Sequence, residues 1–275
     1  MKFTKAEATQ NDFILIREED GGFSPTPGRV RALCDRHRGI GADGILLLSS
    51  SPVAVLRMRI FNADGSEAEM CGNGIRCAAA FAFLSGSIEK SDLSVETKAG
   101  IRNVSILSRA GNRCRAEVGM GHAEIGARVS VFSQFPRRQD KFFADATADL
   151  QKVSLGNPHA VLFVRKIHPA TLTKAGGVLQ KSPFFPRGVN LELVEVLSER
   201  ELRVAVFERG CGVTPSCGTG ACAAVSAAVY HGFCHADSPV AVHMPGGDLE
   251  ITVSGDGDCL LCGDATLVFH GEETV

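Results

Sequence analysis

The feature that most constrains the fold of this chain is an internal repeat whose two copies are separated by about half the length of the chain. A Cys-Gly-x-Gly motif occurs at Cys71–Gly74 and again, 146 positions later, at Cys217–Gly220. Agreement of several residues at one offset indicates a duplicated domain. The length of 275 residues also suits two domains. We therefore predict two lobes, residues 1–118 with 264–275 around the first motif and residues 119–263 around the second. The same offset pairs Phe61 with Phe207, Gly86 with Gly232, Asn11 with Asn157, and Gly100 with Gly246.

Both copies show the same order of local patterns. A strand-like run at 56–61 or 202–207 leads through a polar turn to the cysteine and then to an Ala-rich stretch closed by Gly86 or Gly232. Such a stretch favours a helix with a defined end, and alternating residues follow it in both copies. The pattern predicts an α+β fold. It consists of two pseudo-symmetric lobes, each with mostly antiparallel strands wrapped around a central helix, and it shows no βαβ alternation.

Composition argues against several classes of partner. Lys and Arg total 29 and Asp and Glu total 31, so the net charge of −2 gives no reason to expect nucleic acid or an acidic membrane. The longest apolar stretches fall far short of the roughly 20 residues that span a bilayer. The N-terminal segment Met1–Glu7 lacks the apolar core of a secretory signal. We therefore expect a cytoplasmic protein with reduced thiols, in which ten cysteines indicate catalysis, metal binding or burial.

Cys71 and Cys217 are predicted to lie where their helices begin. Free N–H groups and the positive end of the helix dipole favour a thiolate there, which lowers the thiol pKa. The flanking glycines leave the backbone N–H groups open to a carboxylate. Two equivalent thiols facing one ligand suit inversion at the α-carbon of an amino acid, because one removes the proton and the other returns one. The converging helix N-termini would stabilise the enolate-like carboxylate.

The other cysteines are interpreted as packing residues. A lone Cys-x-x-Cys in a strand directs its two side chains to opposite faces, so no metal site is expected. Cys211 has no counterpart in the first copy. Two interpretations from other classes stay open at this point, an amino-acid-binding protein without activity and a thiol redox protein. The seven cysteines expected to be buried are Cys34, Cys77, Cys114, Cys222, Cys234, Cys259 and Cys262.

Eight motifs, in a fixed order along the chain, carry a resemblance to a known family. They are Asn11–Phe13, Asp35–Gly44, Arg59–Ser66, Cys71–Cys77, Gly156–His159, Asn190, Glu208–Gly210 and Cys217–Cys222. Together they resemble the diaminopimelate epimerases over essentially the whole chain. The Cys-Gly-x-Gly motif alone would also suit proline racemases and hydroxyproline epimerases, but those usually have Cys-Gly-His in the first motif, where this chain has Cys-Gly-Asn.

The resemblance implies a specific reaction and assigns residues to it. The reaction is cofactor-independent epimerisation of LL-diaminopimelate to meso-diaminopimelate, in lysine and peptidoglycan precursor biosynthesis. Cys71 and Cys217 would form the acid/base pair, and His159 and Glu208 would help to set thiol protonation and hold the α-amino group. Without the family, His159 would be interpreted as a structural histidine. Backbone groups of Gly72, Asn73, Gly218 and Thr219 would cradle the reacting carboxylate, and the far end of the substrate would be bound by Asn11, Asn62, Asn157, Asn190 and Arg209.

Two departures from the family pattern affect the expected selectivity. Ala8–Gln10 replaces a usual Gly-Leu-Gly, and Val213 and Ser216 replace a usual Glu and Ala. These positions flank the ligand loops. The alternative hypothesis is therefore a related racemase acting on glutamate, proline or hydroxyproline, or an epimerase of relaxed specificity. The expected partner is a small-molecule amino acid, and the resemblance also implies a homodimer.

Overall fold

The structure is a computed structural model that describes residues 1–88, 90–130 and 149–273. The predicted lobes also include residues 89, 131–148, 274 and 275, which lie outside the described residues. The chain divides into two compact units, Met1–Gly119 with Cys262–Val275, and Met120–Leu261. It passes from the first unit to the second within strand β8 (Arg113–His122) and returns within strand β17 (Asp258–Glu272).

The first unit is built mainly of strands. Besides its parts of β8 and β17 it has a short 3₁₀ helix at Glu18–Asp20, and its other elements follow in chain order. They are β1 (Lys2–Ala8), β2 (Asn11–Arg17), α1 (Pro27–Cys34), β3 (Gly44–Ser49), β4 (Leu56–Asn62), β5 (Glu67–Ala68), α2 (Gly72–Leu84), β6 (Asp92–Thr97) and β7 (Gly100–Ala110).

Eight strands of this unit form a closed ring of pairings around α2. The order is β1, β2, β3, β4, β6, β7, β8 and β17, with β17 pairing back onto β1. Helix α2 packs against β1, β2, β3, β4 and β7, and its residues from Gly72 to Ala82 are all buried. A helix that is buried all round belongs to a core.

The second unit repeats this arrangement. Its strands pair in the order β9, β10, β11, β12, β13, β15 and β16, and α4 packs against β9 to β13 and β16. The predicted α+β fold, with strands around a central helix in each copy, is confirmed. The elements are β9 (Glu124–Val129), β10 (Leu150–Ser154), β11 (Pro158–Phe163), α3 (Pro169–Leu179), β12 (Asn190–Ser198), β13 (Glu201–Glu208), β14 (Gly212–Thr214), α4 (Gly218–Tyr230), β15 (Val240–Met244) and β16 (Gly247–Val253).

The prediction of no βαβ alternation is wrong. Two strand pairs in each unit are parallel: β2 with β3 and β4 with β6 in the first, and β11 with β12 and β13 with β15 in the second. Parallel neighbours need a crossover connection, which is usually a helix. Helices α1 and α3 supply one crossover per unit, and α2 and α4 supply the other.

Burial on both faces explains the continuous apolar runs of these parallel strands. In the first unit, Ile14 and Ile16 of β2 pack with Val30 and Leu33 of α1, while α2 contacts the same sheet. In the second unit the α3 residues Leu172 and Leu179 pack with β12 in the same way. Strands covered on both sides lose the alternation of half-buried strands.

The helices that follow the two cysteines end as the sequence predicts. Gly86 lies two residues beyond the end of α2 with φ +73°, and Gly232 lies two residues beyond α4 with φ +74°. The backbone N–H of Gly86 donates a hydrogen bond to the Phe83 carbonyl in the last turn of α2. The N–H of Gly232 donates in the same way to the Val229 carbonyl of α4. A left-handed conformation at this place costs glycine little and stops the helix.

The turn at Thr9 and Gln10 is strained. It is a two-residue hairpin between β1 and β2, with φ +50° at Thr9 and +61° at Gln10. Such hairpins favour Asn or Gly because both residues need positive φ. The Thr9 hydroxyl offsets part of the strain by donating to Asn73 Oδ1 at 3.2 Å.

Gln10→Gly is expected to raise the free energy of unfolding by about 0.5–1 kcal/mol, because it relieves a left-handed residue that carries a Cβ. Gln10→Ala keeps the Cβ and is the matched control, so it should gain nothing. Urea denaturation of the two variants beside the parent chain measures the difference. Equal stability of the Gly and Ala variants would show that Gln10 is not strained.

Candidate active site

Cys71 caps the N-terminus of α2. It has extended backbone angles, and its half-buried sulfur accepts a hydrogen bond from the N–H of Gly74 at 3.5 Å. Its carbonyl accepts the first helical hydrogen bond, from Ile75. The predicted position at the helix start is therefore correct. The first turn contains no acidic side chain that would compete with a bound carboxylate.

One of the predicted asparagines, Asn11, lies against the Cys71 sulfur, and Asn73 is hydrogen-bonded to it. The thiol donates to Asn11 Oδ1 at 3.7 Å, and Asn73 Nδ2 donates to the same oxygen at 3.3 Å. The other end of the Asn11 amide donates to Asp43 Oδ2 at 2.9 Å, which fixes the amide orientation. Asn62 is exposed at the end of β4 and donates to Ser66 Oγ at 3.0 Å.

Asp12 and Asp43 belong to a charged cluster that sequence reasoning did not assign. Arg36 donates to both carboxylates, at 2.6 Å and 2.8 Å, and Lys5 Nζ lies 2.6 Å from Asp12. Burial opposes ionisation of Asp12, but the hydrogen bonds from Arg36 and Lys5 outweigh it and hold the pKa of this carboxyl far below its usual range. The cluster anchors Asp43, and through it Asn11.

Arg76 is a second residue that the sequence did not single out. It is fully buried beneath the first turn of α2, and burial lowers the pKa of its guanidinium. It donates to the Gly72 carbonyl and to Asn73 Oδ1, both at 3.1 Å. Arg76 therefore holds the backbone and side chain of the two residues that follow Cys71.

Cys217 caps α4 in the same way but in a more enclosed setting. It has extended backbone angles and is only 7% exposed, and its sulfur lies 3.5 Å from the hydroxyl of Thr219. Burial raises the pKa of the Cys217 thiol well above its usual range, and the negative charge of nearby Glu208 acts in the same direction. The prediction that the helix N-terminus lowers the thiol pKa is thus wrong for Cys217. Desolvation outweighs the hydrogen bonds from Thr219 and from the N–H of Gly220.

His159 and Asn157 connect to Cys217 through hydrogen bonds. His159 Nε2 lies 3.0 Å from Asn157 Oδ1, and Asn157 Nδ2 donates to Thr219 Oγ1 at 3.2 Å. The Nδ1 atom of His159 lies 2.7 Å from Glu192 Oε1, and both side chains are fully buried. Sequence reasoning missed Glu192, although an acidic residue in the apolar run of β12 was a signal that could have found it.

Three of the remaining predicted residues of the second unit lie at or next to the ends of β12 and β13. Glu208 is half-buried and accepts a hydrogen bond from the Thr214 hydroxyl. Asn190 accepts from the backbone N–H of Arg209 at 2.8 Å through Oδ1, and the exposed Arg209 side chain donates to the Arg187 carbonyl. Gly218 is buried at the first position of α4, as Gly72 is in α2.

Seven of the eight cysteines interpreted as packing residues are buried, as expected. For Cys211 the interpretation is wrong, because its side chain is exposed. Burial raises the pKa of Cys34 and of Cys234 to about 11. No group of three or more His, Cys, Asp and Glu side chains arranged to hold a metal ion occurs among the described residues. Within the same part of the chain, no helix is long and apolar enough to cross a membrane.

Comparison with known proteins gives a consistent result. The family model for diaminopimelate epimerase matches residues 3–126 and 152–268. A diaminopimelate epimerase of Moorella thermoacetica is 41% identical over 279 residues, covering 99% of this chain and 99% of that protein. One of Pelotomaculum thermopropionicum is 40% identical over 277 residues, covering 99% and 98%. A solved structure of a phenazine biosynthesis protein of the PhzF family from Bacillus anthracis has a TM-score of 0.79 at 16% identity and covers 100% of this chain and 99% of that one, a likeness of fold alone.

Proposed function

We propose that this chain, which belongs to the diaminopimelate epimerase family, interconverts LL- and meso-diaminopimelate by a two-thiol acid/base mechanism. The observation that carries the proposal is the repeated placement of one cysteine at the N-cap of a buried, glycine-initiated helix in each unit. Each thiol is linked to an asparagine by hydrogen bonds. Cys71 contacts Asn11 directly, and Cys217 is connected to Asn157 through the Thr219 hydroxyl. Relatives about 40% identical over nearly the whole chain bear the name of this enzyme.

The mechanism requires one sulfur on each side of the substrate α-carbon. A thiolate removes the α-proton from one face, and the opposite thiol delivers its proton to the other face. The product then has the inverted configuration and the protonation states of the two sulfurs are exchanged. Because burial raises the pKa of Cys217, we assign it the protonated, donating role. Cys71 acts as the base once it has lost the proton that it donates to Asn11 Oδ1.

The carbanion formed in this step needs stabilisation at the substrate carboxylate. The N–H groups at the first turns of α2 and α4, at Gly72, Asn73, Gly218 and Thr219, are the donors that we assign to it. Neither first turn contains an acidic side chain, so the dipole end and its free donors are available to an anion. Since the α-proton is only weakly acidic, stabilising the negative charge on the carboxylate would lower the activation barrier to proton removal more than any other contact.

The rest of the substrate is assigned to polar side chains. We assign the α-amino group to Glu208 with support from His159, and the far amino-acid end to Asn11, Asn62, Asn157, Asn190 and Arg209. Asparagine suits a zwitterionic group because it offers both donors and an acceptor, and arginine offers a fork of donors to a carboxylate. The backbone hydrogen bond from Arg209 to Asn190 supports a common role for these two residues.

A related racemase of glutamate, proline or hydroxyproline is not favoured, because the family match and the full-length relatives both name diaminopimelate epimerase. The proposal places the reaction in lysine biosynthesis and the protein in the cytoplasm. A homodimer remains a prediction, which sedimentation of the full chain would test.

The test is an assay of the purified chain with LL-diaminopimelate, meso-diaminopimelate, glutamate, proline and hydroxyproline, without added cofactor. The expected result is interconversion of the two diaminopimelate isomers and at least about a hundredfold lower kcat/KM for the other amino acids, whose missing or different far end leaves polar groups unpaired. Turnover of proline or glutamate at a similar rate would contradict the substrate assignment.

A further inference from the structure

The two copies differ beneath their cysteine helices. Position 13 of β2 and position 46 of β3 hold Phe13 and Leu46, whereas the positions 146 further on, in β11 and β12, hold His159 and Glu192. The parallel registers agree, because β2 pairs Phe13 with Gly44 and β11 pairs His159 with Asn190. An apolar pair in one unit thus corresponds to a polar pair in the other.

These pairs occupy the same place relative to the thiols. A Cβ added at Gly74, in the first turn of α2, would lie 3.1 Å from Leu46 and 3.6 Å from Phe13. A Cβ added at the equivalent Gly220 of α4 would lie 2.8 Å from Glu192 Oε1 and 3.4 Å from the Cys217 sulfur. Glu192 therefore lies directly under the turn that carries Cys217.

The fold does not require polar groups at this place. Phe13 and Leu46 fill it in the first unit with 3% and 0% exposure. His159 and Glu192 are equally buried, and burying such groups is costly unless they are paired. Their 2.7 Å contact satisfies one oxygen of Glu192, while Oε2 has no hydrogen-bond partner among the described residues. A buried polar pair at a place that the fold can fill with apolar residues suggests a functional role.

The hydrogen bonds from this pair run in one direction toward the Cys217 sulfur. Asn157 uses its Nδ2 to donate to Thr219, so its Oδ1 must accept from His159 Nε2. His159 then carries its proton on Nε2, and in the neutral ring Nδ1 is an acceptor that needs a donor from Glu192. Thr219, having accepted from Asn157, is free to donate its hydroxyl proton to the sulfur at 3.5 Å.

We propose that Glu192 is a positioning residue for the epimerase reaction: its protonated carboxyl donates to His159 Nδ1 and so fixes a chain of donors through Asn157 and Thr219 that stabilises the thiolate form of Cys217. This rests on the proposed function, since that form arises when Cys217 has delivered its proton. The chain gives the buried Cys217 thiolate a donor, whereas the Cys71 sulfur lies at the less enclosed site.

The surroundings of Glu192 favour its protonated form. Burial raises the pKa of its carboxyl, and the interaction with His159 of β11 only partly opposes this. The other groups that act on it electrostatically include Glu208 of β13, whose negative charge also favours protonation, and the nearby thiol is Cys217 of α4. In a protonated carboxyl, Oε2 is a carbonyl-type oxygen, and leaving it without a partner costs less than leaving a carboxylate oxygen so.

The first experiment measures alkylation of each thiol by iodoacetamide at pH 8 in the full chain. In a Cys71→Ser background, Glu192→Met should lower the rate at Cys217 about tenfold, the change in thiolate fraction for a pKa rise of about one unit. Glu192→Gln should stay within about twofold, because its amide can still donate to Nδ1. In a Cys217→Ser background neither change should affect Cys71. Ser226→Ala removes another buried polar contact of α4, to Cys259, and is the control that should leave both rates unchanged.

Two results would overturn the proposal: Cys217 alkylation unaffected by Glu192→Met, or equal losses in the Gln and Met variants.

The second experiment tests the proposal even if the Glu192→Met variant does not fold, because it does not use that variant. Nitrogen-15 NMR of histidine-labelled protein, with His159 assigned by His159→Gln, should show the ring proton on Nε2 and an unprotonated Nδ1 in the parent and in Glu192→Gln. An imidazolium or an Nδ1–H ring would contradict it. Neither readout needs turnover of diaminopimelate, so a failure here is distinguishable from a failure of the proposed function.

Discussion

Cys71→Ser and Cys217→Ser are each expected to lower the rate of diaminopimelate epimerisation by about 10³-fold or more, because positioned acid/base groups typically contribute 10²–10⁴-fold and a serine hydroxyl is far too weak an acid to replace either thiol state. The substitution keeps the size of the side chain, so the caps of α2 and α4 should persist. Polarimetry or NMR with LL- and meso-diaminopimelate in turn measures the loss.

The matched control is Cys211→Ser, which changes an exposed thiol of the second unit and should leave the rate unchanged. Slow α-proton exchange with only one stereoisomer would still fit, because the remaining thiol can remove and return a proton on its own face. Epimerisation at the parent rate by either serine variant would contradict the two-thiol mechanism.

Gly39→Ala is expected to lower the free energy of unfolding by about 3 kcal/mol or more, the upper end of overpacking effects. A Cβ at position 39 would lie 2.1 Å from the Ala32 carbonyl oxygen and 2.7 Å from that of Leu33. Both atoms are backbone of α1, so neither can move aside without distorting the helix. The distortion would reach Arg36 and Asp43, which anchor Asn11 beside Cys71, and activity should fall as well.

Gly28→Ala is the matched control within the same helix. No atom lies within 4 Å of a Cβ added there, and alanine favours the helix, so the free energy of unfolding should rise by about 0.5–1 kcal/mol. Urea denaturation of both variants provides the measurement. A Gly39→Ala variant as stable as the parent would show that the loop relaxes without cost.

The repeat made the central parts of the fold predictable. The motifs at Cys71 and Cys217, with the Ala-rich stretches that end at Gly86 and Gly232, locate the two buried helices because capping and termination are local properties of the sequence. The crossover helices α1 and α3 were missed. Both helices are short, and both pack on the outer face of apolar strands. An apolar run predicts that a strand is buried but does not indicate which element covers it.

The electrostatics of the site could not be predicted in the same way. Both cysteines share the local signal of a helix N-terminus, but the pKa of Cys217 depends on burial and on the Glu208 carboxyl of β13, which only the tertiary structure brings close. Glu192 and Arg76 are buried for the same reason, and nothing in their flanking residues gives their partners.

The most direct test of the two-thiol mechanism is the fate of the α-proton in heavy water, starting from protiated LL-diaminopimelate and the parent enzyme without added cofactor. Since the donating thiol exchanges with solvent before turnover, the meso product should carry deuterium at the inverted carbon from the first turnovers, while recovered LL substrate remains protiated. Protium retained in the product, or deuterium appearing in the recovered substrate before the product, would indicate a single base and contradict the roles assigned to Cys71 and Cys217.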